Sequence, residues 1–179
     1  MRLPTRDRAS VAEATGPAKP DLFDAVPTRG RSPTANRPLG GVWLAARLLG
    51  ALAVLATGAV HLYEFEHFYA QIPTIGTLFI LNFLGATAIG LGLLAPIERV
   101  GGRYGSALIA LLAAAGIALA AVAFALLLIS EQTPLLGFKE PGYDPTGIAA
   151  TRATEIAAVL SLGAFLVGRL GLKAPIPRW

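Results

Sequence analysis

The chain contains no cysteine, only two histidines and one methionine, and charged residues occupy 15% of its 179 positions. The absence of cysteine excludes disulfides, thiolate metal sites and a cysteine nucleophile. Soluble domains carry charge at about 25% of their positions, whereas 54% of this chain is hydrophobic. A soluble core could not bury so much apolar surface in so short a chain, so the composition favours a membrane protein.

The formal net charge of +4 does not indicate a nucleic-acid partner. The basic residues lie at the edges of apolar segments, where membrane topology and anionic lipid account for them. The partner that the composition predicts is therefore the lipid bilayer, with a homo-oligomer or another membrane protein as a further partner.

Four apolar segments are long enough to cross a bilayer, whose core of ~30 Å needs about 20 helical residues. They are the predicted spans 42–62, 74–94, 106–129 and 148–167. Backbone groups in lipid must be satisfied within each segment, so the expected fold is an all-α membrane four-helix bundle. Small residues four positions apart, such as Ala86 and Gly90, predict close helix contacts.

Lysine and arginine alternate with acidic residues from one connection to the next. Segments 95–105 and 168–179 and the first forty residues are basic, whereas segments 62–73 and 130–147 are acidic. Basic segments stay in the cytoplasm, so both termini are expected inside. Segment 1–40 is proline-rich and predicted to be a disordered cytoplasmic tail. Segment 41–172 is then the transmembrane domain and 173–179 a cytoplasmic end.

Both histidines lie at the end of the first span, in the run HLYEFEHFY. In a continuing helix, His61, Glu64 and His67 share one face, which suggests a divalent-metal or haem site completed by another helix. The alternative is an interfacial aromatic belt in which Glu64 and Glu66 are simply in water. No cofactor is the primary expectation, since no recognised metal spacing occurs.

Polar residues inside the spans form a second candidate site. Glu155 and Arg152 lie three residues apart near the start of the fourth span, and they could pair with each other. Asn82 lies in the middle of the second span, where its amide should point into the bundle. Together with His61, these residues are predicted to line a small polar cavity open to the outside. The alternative for Glu155 is an ion pair that only positions the helix.

Three stretches carry a resemblance to a known group. They are the histidine–leucine pair at 61–62 with its aromatic and acidic run, IPTIGTLFILN at 72–82, and LLGFKE at 135–140. They resemble small four-span membrane proteins of actinobacteria, over most of residues 42–170. The general plan is also similar to the DoxX-like group. The resemblance implies a bacterial plasma membrane and assigns no activity.

Three functions remain open from the sequence. The first is a non-enzymatic accessory or interaction protein, favoured because no nucleotide loop, nucleophile elbow or zinc-protease motif occurs. The second is a metal- or haem-binding redox component that uses His61. The third is a small transporter or channel subunit that uses Glu155 and Asn82.

Overall fold

The computed structural model describes residues 38–171. Most of the predicted tail, residues 1–37, and the end of the chain, residues 172–179, lie outside this range. The described part contains four long helices, each apolar enough to cross a membrane. They are α1 (Pro38–Glu64), α2 (Pro73–Leu94), α4 (Gly102–Gln132) and α5 (Pro145–Leu170), with a short helix α3 (Ile97–Val100) between α2 and α4. The predicted all-α four-helix bundle is confirmed, and each helix extends beyond the apolar segment that predicted it.

The four long helices form a ring in which each contacts two neighbours. Helix α1 packs against α2 and α5, and α4 closes the ring against the same two helices. Trp43 near the start of α1 lies against Gly168 near the end of α5. The described chain therefore begins and ends at the same end of the bundle, as an even number of crossings requires.

Small residues set the helix contacts, as the sequence predicted. Ala86 and Gly90 are buried in α2. A Cβ at Gly90 would lie 2.5 Å from Leu55 Cγ, so α1 and α2 approach closely there. Gly116 of α4 similarly faces Leu162 of α5. Lipid tails are as apolar as leucine, so this close packing, rather than hydrophobic burial, holds such helices together.

Helix α1 continues through the aromatic run as one π-helical turn, Phe65–Tyr69. The amide of Ala70 donates to Phe65 O at 2.9 Å, which closes the wider i→i+5 loop. The extra residue in this turn changes which side chains face the bundle. Tyr69 is buried, whereas His67 is exposed.

One end of the bundle, called the basic end below, is held by Arg47. This buried arginine donates to Leu93 O at 2.7 Å and to Ala95 O at 2.9 Å, so it caps the carboxyl end of α2. It also pairs with Glu98 at 3.1 Å, and Arg169 of α5 pairs with the same carboxylate at 2.7 Å. The hydrogen bond from Arg169 and the charge of Arg47 lower the pKa of Glu98.

The opposite end, called the acidic end, holds the π-helical turn and the connection from α4 to α5. Glu140 fixes this connection: its amide donates to Ser130 O at 2.9 Å, and its Oε1 accepts from Gly142 N at 2.8 Å. Asp144 then caps α5, accepting from Thr146 N at 2.9 Å, and proline follows at the first helical position.

Candidate functional site

A row of buried polar side chains runs along the α1–α5 interface toward the acidic end. Three of them, on α1, are separated by four and then three residues, and two, on α5, are separated by four residues. These spacings place the side chains of each helix on one face. We call this row the polar seam; its members are Thr57, His61, Glu64, Thr151 and Glu155.

Glu155 is the most deeply buried member of the seam. It is 0% exposed, and neither carboxylate oxygen has a hydrogen-bond partner among residues 38–171. Helices α1 and α5 are antiparallel, and their register is given by two contacts, Gly50 with Leu162 and Glu64 with Gly147. This register brings Glu155 level with Thr57. An ionised carboxylate left unpaired in such a place costs several kcal/mol, roughly the full penalty of a buried charge.

Glu64 ends α1 and packs against the first turn of α5. Only 4% of its surface is exposed, and its Oε1 has no hydrogen-bond partner in the part of the chain that the structure describes. A Cβ at Gly147 would lie 1.6 Å from that oxygen and 2.9 Å from Asp144 Oδ2, so only glycine leaves room for the carboxylate. The alternative interpretation that placed Glu64 in water is wrong, whereas Glu66 is exposed as expected.

A cavity of about 270 Å³ lies beside the seam, lined by residues of α1, α2, α4 and the start of α5. Its wall on the membrane side consists of apolar residues from α2 and α4. Leu81 and Val122 line it and are each 57% exposed on the outer surface of the bundle. The cavity therefore opens sideways, between α2 and α4, toward the surface that lipid covers.

Polar groups concentrate at the inner wall of this cavity. His61 and Glu64 reach it from α1, and Asn82 from α2. His61 Nδ1 lies 2.9 Å from Thr57 O, and only an N–H can bond a carbonyl, so Nδ1 carries the proton. Nε2 of the neutral ring is then an acceptor. Asn82 is buried, and its Oδ1 accepts no hydrogen bond from any described residue.

The α4–α5 connection closes the acidic end of the cavity. Tyr69 donates to Glu140 Oε2 at 2.5 Å and stacks on Phe79 with ring centres 4.6 Å apart. Phe138 meets the Tyr69 ring edge-on at 5.8 Å, and Leu135 also lines the cavity. The apolar residues of this connection therefore cap the cavity.

The structure brings two of the four predicted cavity residues together. His61 and Asn82 line the cavity, whereas Arg152 and Glu155 do not. Arg152 does not pair with Glu155; its Nη2 donates to both oxygens of Glu131 on α4 at 2.5 Å. That pair ties α5 to α4 and leaves Glu155 without a counter-ion among the described residues.

The predicted metal site gains no geometric support. His67 is exposed and donates from Nδ1 to Tyr63 O at 2.8 Å, while His61 and Glu64 are buried. The π-helical turn separates them, since it rotates the chain after Glu64. Over residues 38–171, no three histidine or acidic side chains are grouped to hold a metal ion. His61 Nε2 is the ligand atom that a haem or metal would have to use.

Several residues of the site were not singled out from the sequence. They are Thr57, Tyr69, Ser130, Glu140 and Thr151. A usable signal existed for the threonines, because both lie four residues from another polar member of the seam. Tyr69 and Glu140 are 71 residues apart, and no local pattern connects them.

Comparison with protein-family models, with curated proteins and with solved structures finds no match to this chain. The resemblance to four-span actinobacterial proteins and to the DoxX-like group therefore stays a prediction. The fold and its apolar helices define a multi-pass membrane protein with a laterally open cavity.

Proposed function

We propose that this protein binds a small membrane-soluble ligand in the lateral cavity and serves as a non-enzymatic accessory protein of a bacterial plasma membrane. The observation that carries the proposal is the cavity itself, which has apolar walls, an opening toward lipid and unpartnered polar groups at its inner wall. Ligand sites commonly combine apolar walls with a few convergent polar groups that fix orientation.

The charge distribution supports an orientation for the cavity. Arg47, Arg99, Arg103 and Arg169 lie at the basic end, and excess arginine marks the cytoplasmic side. We therefore place both termini in the cytoplasm and the acidic end outside. The cavity then lies in the outer half of the membrane, where a lipid-soluble ligand could enter between α2 and α4.

Photolabelling tests the proposal. The probe is a diazirine-bearing octanol, added to the full chain in phosphatidylcholine nanodiscs, with labelled residues mapped by mass spectrometry. We expect saturable labelling of cavity residues such as Leu126 and Phe79, which unlabelled octanol suppresses. Leu111 and Leu160, which are exposed and do not line this cavity, should label weakly and without saturation.

A matched pair of variants locates the site. Ala123 lines the cavity, whereas Ala121 is exposed to lipid two residues earlier on the same helix. Ala123→Phe should fill the cavity and abolish saturable labelling, and Ala121→Phe should leave it unchanged. Non-saturable labelling of the unaltered protein, or equal effects of the two variants, would refute ligand binding in this cavity.

A second candidate function follows from Glu155. Fully buried ionisable groups in membrane helices are typical of ion and proton pathways, and both oxygens of Glu155 lack partners. In this alternative, the polar seam carries protons or cations through the outer half of the bundle. Proton flux into liposomes that Glu155→Gln abolishes would favour it, and equal flux with and without the protein would remove it.

A further inference from the structure

The fully buried cavity atoms without a hydrogen-bond partner in the described chain are acceptors, whereas two of the cavity hydroxyls already donate. Tyr69 donates its hydroxyl to Glu140 at 2.5 Å, and Ser130 donates to Leu127 O at 2.8 Å. Unpartnered, by contrast, are Glu64 Oε1 and Asn82 Oδ1, both on residues more than nine-tenths buried. His61 Nε2 adds a third acceptor, since Nδ1 holds the proton. A ligand head that supplies N–H or O–H groups would complement these acceptors.

The carboxylates around these acceptors determine which charge the ligand's head group should carry. Glu64 makes no ion pair in the described chain, and Asp144 lies beside it against Gly147. Glu140 is a further carboxylate of the same cavity wall, and the nearby Arg152 is engaged by Glu131. A cation that also donates hydrogen bonds would neutralise Glu64, because charge-assisted hydrogen bonds are the stronger ones.

The volume and the apolar walls of the cavity limit the size of the ligand and the path of its alkyl chain. A cavity of about 270 Å³ is slightly below the usual range of roughly 300–1,000 Å³ for drug-sized ligands. It therefore holds a head group and a short length of chain. Leu81 and Val122 border the opening, so a longer alkyl chain would leave between α2 and α4 into the lipid.

We infer, building on the proposed function, that the cavity selects a lipophilic primary or secondary amine. Its ammonium group lies between Glu64, His61 and Asn82, and its alkyl chain follows the apolar wall to the lateral opening. A fatty acid is rejected because its carboxylate would lie beside the carboxylates of Glu64 and Glu140. A quaternary ammonium is weaker because it has the charge but no N–H to donate.

Competition among four octyl compounds tests this selection. Octylamine, octanol, octanoate and octyltrimethylammonium displace the diazirine-bearing octanol in phosphatidylcholine nanodiscs, whose neutral surface limits non-specific enrichment of cations. Octylamine should displace the probe at a concentration at least about ten-fold lower than octanol, given the strength of a charge-assisted hydrogen bond. Octyltrimethylammonium should be weaker than octylamine, and octanoate the weakest. Equal potency of octylamine and octanol, or superior potency of octanoate, would overturn the inference.

Glu64→Gln tests the residue that carries the selection, and Glu66→Gln is the matched control, because it removes an exposed carboxylate two residues away. Glu64→Gln should bring the potency of octylamine to that of octanol without changing octanol itself. Glu66→Gln should keep the full difference. An octylamine preference that survives Glu64→Gln would refute the assignment.

A second variant covers the case in which Glu64→Gln does not fold. Asn82→Leu removes one acceptor and should weaken octylamine severalfold; unchanged octylamine potency would count against the site. The two proposals fail differently. Without saturable probe labelling of the unaltered protein, ligand binding itself is refuted. Saturable labelling without an amine preference refutes only the ligand class.

Discussion

The contact at Gly90 provides a direct test of how α1 and α2 hold together. A methyl group there would lie 2.5 Å from Leu55 Cγ, 2.7 Å from Leu55 Cδ2 and 3.2 Å from Ala51 O. Carbon atoms pack best at about 3.5–4.0 Å, so Gly90→Ala forces the side chain or the helices apart. Gly85 of the same helix is the matched control, because its methyl group would meet only Leu119 atoms, at 3.7 and 3.8 Å.

The magnitude follows from comparing these two variants. Replacing glycine by alanine inside a helix favours the helix by about 1 kcal/mol at either position. This common gain cancels in the difference, which leaves the overpacking at Gly90. Overpacking a close contact costs about 1–3 kcal/mol. Gly90→Ala should therefore be less stable than Gly85→Ala by about 1–3 kcal/mol.

Unfolding in mixed micelles of increasing SDS content measures this difference. Trp43 reports the folded bundle because its ring lies against Gly168 of α5, and Trp179→Phe provides a background with a single tryptophan. Equal unfolding midpoints for the two alanine variants would show that α1 and α2 do not approach closely at Gly90. The packing described here would then be incorrect at its central contact.

The ion pairs at the two ends of the bundle, and its orientation in the membrane, can each be tested separately. Arg169's hydrogen bond and the neighbouring arginine lower the pKa of Glu98, so this ion pair stabilises the fold above the ordinary carboxyl pKa of 4.5. That stability should be lost as pH falls through the lowered pKa, and Glu98→Gln should remove this pH dependence of the SDS midpoint. Arg152→Ala should cost no more than about 1 kcal/mol in the same assay, since the pair it breaks is partly exposed. In intact cells, an impermeant maleimide should label Tyr143→Cys but not Tyr104→Cys; the reverse result would invert the proposed orientation.

Hydropathy was sufficient to predict the bundle because lipid leaves a backbone few choices. The helix ends were less predictable. Helix α4 begins at Gly102, ahead of the predicted span, and includes Arg103 and Tyr104. Polar residues continue a helix into the interface as readily as they end one, and apolar composition alone does not distinguish these cases.

The candidate site was only partly predictable, because the sequence of an apolar membrane helix gives little indication of which side faces the bundle. Asn82 was expected to face inward, since an amide in lipid needs a partner, and it lines the cavity. The partner of Arg152 was not predictable, because Glu131 lies 21 residues earlier and its position depends on the connection between the helices. The π-helical turn that follows Glu64 was equally hidden, and within it Tyr69 is buried and His67 exposed.

The arrangement at the acidic end has an energetic consequence for function. Arg152 could have neutralised Glu155 one turn away on its own helix, but it pairs with Glu131. Within residues 38–171, the two buried carboxylates of the polar seam then have no cationic partner. Glu155 and Glu64 then differ in access: Glu155 is sealed, whereas Glu64 borders a cavity open to lipid. A buried charge without a partner is costly, and only Glu64 lies where a ligand from the membrane can relieve that cost. A ligand can therefore approach the Glu64 side chain from the cavity, whereas Glu155 has no exposed surface and does not line it.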